Sequence, residues 1–149
     1  MPKRLRLRVA TPDNVKFDDD IEMVIMRCIT GDMGILANHE AASAILDYGV
    51  LRILDEGTPE RRMAVYGGIA QVKDNIVYIM ANDAQWPEDI ERSAINAERE
   101  ELERRAQEEL DDLELRKQQI LMRRILVQTE VSDYPILSKV ERSDMNSSQ

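Results

Sequence analysis

The chain has 149 residues but only one cysteine, one histidine, one tryptophan and one phenylalanine. A single cysteine cannot form an internal disulfide, which excludes a small secreted domain held together by disulfides. Cys28 lies in the apolar run "IEMVIMRCI", where we expect a buried packing role. One histidine and one cysteine provide no Cys/His cluster for zinc and little material for nucleophilic catalysis.

Long hydrophobic runs are also missing. No stretch approaches the roughly 18 apolar residues that span a bilayer, and "MPKRLRLRV" alternates Arg with Leu where a signal peptide would continue into an apolar segment. Acidic residues outnumber basic ones, 29 to 20, for a formal net charge of −9. This charge disfavours nucleic acid and anionic membranes as partners. From the missing apolar runs and the single cysteine we expect a soluble, uncleaved chain in a reducing compartment.

The first part of the chain has the alternation of β-strands. Apolar side chains recur at every second position in "LRLRV" and "NIVYIM", and turn-forming clusters such as "ATPDN", "DEGTPE" and "KDN" separate the runs. The runs lie too close together for crossover helices, so we predict an N-terminal antiparallel β-sandwich over residues 1–86. The stretch "QVKDNIV" predicts a hairpin, and "EAASAIL" is the one place where a short helical turn would fit.

After Trp86 the pattern changes from strand to helix. Pro87 is suited to a first helical turn, and Glu88, Asp89 and Glu91 place negative charge near the positive end of the helix dipole. Apolar residues then follow at helical spacing: Ile95, Leu102, Ala106, Leu110, Leu113, Ile120, Leu121, Ile125 and Leu126. Asp111 in "LDDLE" can cap a second helix, so residues 87–128 predict an antiparallel two-helix hairpin. Because neither Gly nor Pro enforces the break, one long helix remains an alternative.

Charge is uneven along this helical part. Acidic residues dominate residues 98–114, and the second helix has a basic group of side chains: Arg116, Lys117, Arg123 and Arg124. These basic residues are either a solvated helix face or a docking surface for an acidic partner. The last segment, residues 129–149, loses the helical pattern, contains Pro135 and ends in Ser, Asn and Gln, which predicts a weakly ordered extension.

The stretch "GDMGILANHE" contains the only histidine. We expect Gly31 and Gly34 to supply positive φ angles in a turn between strands. His39 has no visible metal-ligating neighbours, which leaves a structural role and an exposed contact role open. The acidic run "FDDDIE" is typical of a surface segment, so we predict no catalytic residue and no metal site.

Four segments, taken in order, carry a resemblance to a known family: "ATPDNVKFDDDIEMV", "GDMGILANHEAASAILDYGVLRI", "YGGIAQVKDNIVYIMANDA" and "PEDIERSAINAERE". Over about residues 1–128 the chain resembles the epsilon subunit of bacterial-type rotary ATP synthases, which is called delta in mitochondria. The resemblance implies a non-catalytic central-stalk subunit whose sandwich binds the gamma subunit and the c ring. It further implies that Asp32 and His39 contact the ring.

The same resemblance implies a regulatory helical hairpin. The hairpin would inhibit ATP hydrolysis by extending into the catalytic head, where its basic second helix meets the alpha and beta subunits. The complex would attach the chain peripherally to the cytoplasmic face of a bacterial plasma membrane, or to the stromal side of a thylakoid. The alternative from another class is a free-standing ligand-binding β-sandwich protein with a helical appendage.

Two short segments depart from the family pattern. Some members bind ATP at the hairpin through an Ile-Asp-x-x-Arg-Ala motif. When this chain is aligned to that motif on Ile90, it has Glu91 where the motif has aspartate and Ala94 where the motif has arginine. We therefore expect no cofactor, ATP included. In addition, Glu40 and Ala41 follow His39 where the family usually has a small residue and a proline.

Overall fold

A computed structural model describes the backbone of residues 4–108 and 110–147, and side chains as far as residue 132. The chain divides into two compact units, residues 1–86 and 87–149. The first unit ends at Trp86, the residue after which the sequence pattern changes from strand to helix.

The first unit is built from strands β1 Leu5–Ala10, β2 Val15–Ile21, β3 Met23–Cys28, β4 Gly31–Leu36, β5 Ala42–Leu54, β6 Arg61–Lys73, β7 Ile76–Ala81 and β8 Ala84–Gln85. They pair in the order β2-β1-β7-β6-β5-β3-β4, with β8 beside β6. Strands β5 and β6 are the long ones, with 13 residues each. Strands β2 and β4 are the first and the last in this order and are therefore its edge strands.

The inward side chains of distant strands meet in one core, as in a sandwich. Leu5, Leu7 and Val9 of β1 are fully buried in the same cluster as Val24 of β3 and Ile35 of β4, although β7, β6 and β5 separate these strands in the pairing order. The sheet must therefore fold over on itself, which confirms the predicted β-sandwich.

One strand pair differs from the predicted antiparallel arrangement. Strand β1 pairs with β7 in parallel, with Leu7 opposite Val77 and Val9 opposite Ile79. The prediction considered parallel pairing only between successive runs, which leave no room for a crossover helix. Here residues 11–75, which contain strands β2 to β6, form the connection, so no crossover helix is needed.

Two local predictions in this unit have opposite outcomes. The hairpin predicted at "QVKDNIV" is confirmed, since β6 and β7 are antiparallel and the two turn residues have positive φ, 52° at Asp74 and 62° at Asn75. This is the type I′ geometry that matches the twist of the strands. The helical turn proposed at "EAASAIL" is wrong, because Ala42 opens strand β5 and alternates in burial with Ser43 and Ala44.

In its described residues, the second unit contains a 3₁₀ turn, Pro87–Asp89, and two helices, α1 Arg92–Arg105 and α2 Asp112–Ser147. Arg92 Nη2 donates to the Ser132 carbonyl at 3.2 Å, and Arg99 Nη2 to Thr129 Oγ1 at 3.1 Å. The start of α1 thus meets a late part of α2, which confirms the antiparallel hairpin. Pro87 begins the 3₁₀ turn and not α1 itself.

The predicted start of the second helix is confirmed in detail. Asp111 Oδ1 accepts the backbone N–H of Glu114 at 2.8 Å, and the Asp111 carbonyl accepts the N–H of Leu115 at 3.0 Å. Asp111 is therefore the residue that caps α2.

The predicted end of this helix, at residue 128, is wrong. Helix α2 continues to Ser147, and Thr129 donates its hydroxyl to the Ile125 carbonyl within the helix at 2.8 Å. The backbone helix therefore continues beyond the residues whose apolar side chains recur at helical spacing. The weak order predicted for residues 129–149 stays a prediction, because the side chains from residue 133 and the two last residues lie outside the described part.

Candidate interaction surfaces

Asp32 is presented by the β3–β4 hairpin. Gly31 has a φ of +123°, a conformation that favours glycine, and Asp32 follows it opposite Arg27 in the strand register. Arg27 Nε lies 3.5 Å from Asp32 Oδ1, while the Asp32 side chain remains 63% exposed. The carboxylate is thus oriented by its neighbour and still accessible to a partner.

Gly34 has another role than the predicted one. It lies inside β4 opposite Ile25, and its φ is outside the left-handed region, so the prediction of a turn glycine is wrong at this position. A Cβ atom at Gly34 would lie 2.7 Å from Met23 Cε. The glycine leaves space for the Met23 side chain to lie across the strand.

His39 lies in the connection between β4 and β5, residues 37–41, which we call the His39 loop. Its backbone N–H donates to the Leu36 carbonyl at 3.3 Å, and its half-buried ring places Nδ1 2.7 Å from the Glu40 carbonyl. Because a carbonyl oxygen only accepts hydrogen bonds, this contact requires the proton on Nδ1. In the neutral ring, Nε2 is then the unprotonated nitrogen.

Asp32 and His39 are not brought together. Asp32 is near the start of β4, and His39 follows its last residue, Leu36. The four residue steps from Asp32 to Leu36 alone cover roughly 13 Å of extended chain. A single partner surface can meet both residues only along the length of β4, which is an edge strand of the sheet.

An exposed row of large apolar side chains crosses the outer face of the sandwich. It is formed by Ile29, Ile45, Ile69 and Met80, which are 61%, 58%, 48% and 50% exposed. We call these four residues the apolar row.

Strand register places the members of the apolar row side by side. Ile45 pairs with Ile69, Ile69 pairs with Met80, and the Ile29 N–H donates to the Ile45 carbonyl at 3.0 Å. Direct cross-strand neighbours point to the same face of a sheet. The four side chains therefore form a continuous surface.

The alternating pattern predicted the buried face of these strands but not the apolar row on the opposite face. A signal was present: "AIL", "GIA" and "YIM" each place an apolar residue at the outward position next to an inward one. When only one face of a strand packs on the core, two adjacent apolar residues place one of them on the outward face. Such outward apolar residues indicate that this face meets a partner.

The hairpin has a small core of its own, formed by Ile95, Leu102 and Ile125 with Ile90 and Met122 against it. Several predicted stripe residues remain exposed: Leu113 62%, Ile120 52%, Leu121 45% and Leu126 55%. The two helices thus cover only part of the apolar surface of α2.

The four basic residues of α2 lie on one side of the helix. Arg116 and Arg123 are seven residues apart, as are Lys117 and Arg124, and seven residues are close to two helical turns. The exposed Ile120 lies between them in the sequence and on the same side. Together the four basic residues and Ile120 form what we call the basic face.

Two other features of the hairpin concern small ligands. The first concerns the two residues at which this chain departs from the nucleotide motif. Glu91 is the cap residue before α1 and Ala94 lies in the first turn of α1, and both are exposed. An open groove of about 560 Å³ between the helices is lined by charges of both signs, including Glu101, Arg105, Glu114 and Lys117.

In residues 4–108 and 110–132, whose side chains the structure describes, no three His, Cys, Asp or Glu side chains are grouped so that they could hold a metal ion. Within residues 4–108 and 110–147, no helix is both long and apolar enough to cross a membrane.

Comparisons with known proteins agree with this architecture. Residues 4–87 match the family model described as "ATP synthase, Delta/Epsilon chain, beta-sandwich domain". The ATP synthase epsilon chain of Caldicellulosiruptor saccharolyticus is 35% identical over 120 residues, 80% of this chain and 87% of that one. The epsilon chain of Bacillus velezensis is 32% identical over 130 residues, 87% of this chain and 98% of that one.

Solved structures show the same fold. A chain of the mitochondrial ATP synthase of Euglena gracilis, solved with OSCP, F1 and the c ring, aligns with a TM-score of 0.76 at 24% identity, covering 89% of this chain and 82% of that chain. A chain of the Tetrahymena thermophila central stalk and c ring aligns with a TM-score of 0.58 at 14% identity, covering 88% and 98%.

Proposed function

This chain belongs to the delta/epsilon chain family of ATP synthases, and we propose that it works as a non-catalytic central-stalk subunit that couples rotation to ion flow and restrains ATP hydrolysis. The match extends over most of this chain and of its relatives, which favours a subunit over a free-standing ligand-binding sandwich. The observation that carries the proposal is the apolar row, because large side chains exposed side by side indicate a protein partner.

We propose that the apolar row binds the gamma subunit. Its members are roughly half exposed and lie on a rigid sheet, as expected for anchors that fill pockets of another chain. Asp32 and His39 would contact the c ring along edge strand β4. The membrane association is then peripheral and arises through the complex, on the cytoplasmic face in a bacterium or the stromal side in a plastid.

Replacing one residue of the row tests this contact. Ile69→Asp introduces a charge at the centre of the row and should weaken binding to gamma by roughly 30-fold or more, the loss expected at an interface hot spot. Gln71→Asp is the matched control, since Gln71 is exposed two positions further along the same face of β6. Equal binding by both variants in a pull-down with gamma would refute the assignment of this surface.

We propose that the hairpin supplies the restraint on hydrolysis. Its exposed apolar residues and basic face are suited to a second set of contacts, in which α2 leaves α1 and meets acidic segments of the alpha and beta subunits. The small core between the helices supports such a change, because little apolar surface is lost when they separate.

Charge reversal on the basic face tests the restraint. Arg116→Glu combined with Arg123→Glu should raise ATP hydrolysis by the assembled enzyme, because the acidic partner segments would then be repelled. Arg104→Glu combined with Arg105→Glu is the control, because it makes the same change of charge at exposed positions on α1. Unchanged hydrolysis in the double variant, with normal assembly, would exclude a regulatory role for the basic face.

We propose that this regulation uses no bound nucleotide. The departures at Glu91 and Ala94 support the proposal, as does Arg92, which donates to the Ser132 carbonyl within the hairpin. Calorimetric titration with ATP at millimolar concentration should give no binding heat, and saturable binding would contradict this part.

A further inference from the structure

Two turns at the same end of the sandwich are joined by a pair of asparagine side chains. The Asn38 N–H in the His39 loop donates to Asn75 Oδ1 at 2.5 Å. In return, Asn75 Nδ2 donates to Asn38 Oδ1 at 3.4 Å. The His39 loop is thus tied to the β6–β7 turn, 37 residues further along the chain.

Asn75 is itself held firmly in the sheet. It is the second residue of the type I′ turn, with a φ of 62°, and its carbonyl accepts the Arg6 N–H from β1 at 2.9 Å. The turn is flanked by the register pair Lys73 and Ile76. Asn75 therefore connects three segments, and its side chain is a fixed acceptor for the His39 loop.

The His39 loop needs such a support. Residues 37–41, "ANHEA", contain neither proline nor glycine, and Asn38 adopts a φ of 67°, which costs an L-residue free energy. Its internal backbone bond, from the His39 N–H to the Leu36 carbonyl, is long at 3.3 Å. A shorter bond to a neighbouring rigid turn stabilises this strained conformation.

We infer that Asn75 is a positioning residue for His39. By holding the Asn38 N–H, it fixes the backbone conformation that brings the Glu40 carbonyl to His39 Nδ1, and so leaves Nε2 as the nitrogen that can accept a hydrogen bond from a partner. The partner is the c ring, so this part of the inference rests on the proposed function; the positioning itself does not.

Three variants separate the side-chain contact from the turn geometry. Asn75→Gly removes the acceptor but creates an Asp-Gly turn, the preferred pair for a type I′ hairpin, so the sheet should remain intact. Asn75→Asp keeps an oxygen acceptor for the Asn38 N–H and should rescue the effect. Asn38→Gly keeps the N–H donor and the positive φ, and it loses only the weaker return bond.

The isolated full-length chain gives the first readout. Its single histidine yields one set of imidazole signals, so the ring tautomer can be read in alkaline buffer from long-range ¹H–¹⁵N spectra. We expect the Nδ1–H tautomer in the wild type, in Asn75→Asp and in Asn38→Gly, and a shift towards the Nε2–H tautomer in Asn75→Gly. The Asn38 amide should exchange at least about tenfold faster in Asn75→Gly. An unchanged tautomer and exchange rate in Asn75→Gly would overturn the inference.

Binding to a complex of gamma and c ring gives the second readout. Asn75→Gly should weaken it by roughly 2- to 10-fold, the loss expected for one hydrogen bond, and should have no further effect in the His39→Ala background. If His39→Ala weakens binding and Asn75→Gly does not, the inference is wrong. If His39→Ala has no effect while the tautomer still shifts in Asn75→Gly, the positioning is supported and the proposed ring contact is wrong.

Discussion

Gly68 lies in β6 between its pairing partners Leu46 and Ala81, at a point where the backbones come very close. Its φ is +139°, and a Cβ atom would lie 2.3 Å from the Met80 carbonyl oxygen and 2.8 Å from Ala81 Cα. Backbone atoms in the middle of a sheet cannot move aside cheaply. This position needs glycine for two independent reasons.

Gly68→Ala should therefore lower the free energy of unfolding by more than about 2 kcal/mol. Gly57→Ala is the matched control, since Gly57 also has a positive φ, +79°, but nothing lies within 4 Å of its Cβ position. The control should lose only about 1 kcal/mol, the cost of the backbone conformation alone. Urea unfolding measures both, and equal losses would contradict the steric explanation.

The Cys28 thiol should be protected in the folded chain. The residue is 4% exposed, and burial, together with the charge of Asp32, raises the pKa of its thiol. Because the thiolate is the reactive form, alkylation should be at least about tenfold slower in native buffer than in urea, and it should accelerate as pH rises. Asp32→Asn should accelerate it slightly. Equal rates with and without urea would show that Cys28 is accessible.

At the residue scale, sequence predicted roles that depend on local geometry and missed those that depend on distant neighbours. Gly31 has the left-handed φ that its turn suggested, whereas Gly34 serves the Met23 side chain of the paired strand, which no local pattern reveals. The Asn38–Asn75 contact could not be predicted for the same reason. Which two turns meet at one end of a sandwich follows from the pairing of strands far apart in the sequence.

The start of helix α2 depends on one hydrogen-bonding cap. Asp111→Ala removes the acceptor for the Glu114 N–H and should destabilise the first turn of α2 by about 1 kcal/mol. Amide exchange at Glu114 measures this directly. Asp111→Asn keeps a side-chain oxygen and should retain most of the protection; if both variants exchange equally fast, the carboxylate charge matters and the cap does not.

Helix α1 should respond to acid through the ion pairs of Glu101. Glu101 accepts from Arg104 at 2.7 Å, and Arg105 Nε lies 3.3 Å away. The hydrogen bond from Arg104, followed by the charges of Arg104 and Arg105, lowers the pKa of Glu101. A lowered pKa means that this contribution is present above the ordinary glutamate range and is lost as pH falls through the lowered value.

Glu101→Gln should therefore remove a small part of the acid-induced loss of α1 helicity, small because the pair is exposed. Circular dichroism of the full chain between neutral and acid pH measures it. Glu103→Gln removes an exposed charge from the same helix without the Arg104 contact. Identical acid curves for the two variants would contradict a specific effect of the pair.

At the element scale, strand and helix type followed from the periodicity of the sequence, and the Asp111 cap from its position before an acidic first turn. The β6–β7 turn was predictable because Asp74 and Asn75 tolerate positive φ. The parallel β1–β7 pair was not, because it joins strands separated by residues 11–75. The end of α2 was also missed, since a helix can continue where its apolar stripe stops.

At the scale of the whole molecule, each unit has a surface that its own core leaves exposed. The sandwich has the apolar row, and the hairpin has the basic face together with exposed leucines. Composition alone indicated two halves, yet it could not distinguish an outward apolar residue from an inward one. Strand register made that distinction for Ile45 and Ile69.

The proposed function requires that the sandwich attaches the chain to the enzyme and that the hairpin restrains hydrolysis. The most direct test adds either the full chain or residues 1–86 to an ATP synthase preparation depleted of this subunit. Bound chain and ATP hydrolysis are then measured on the same samples. We predict that residues 1–86 bind as the full chain does and that hydrolysis is higher with the fragment. Failure of the folded fragment to bind, or equal hydrolysis with both, would contradict the account.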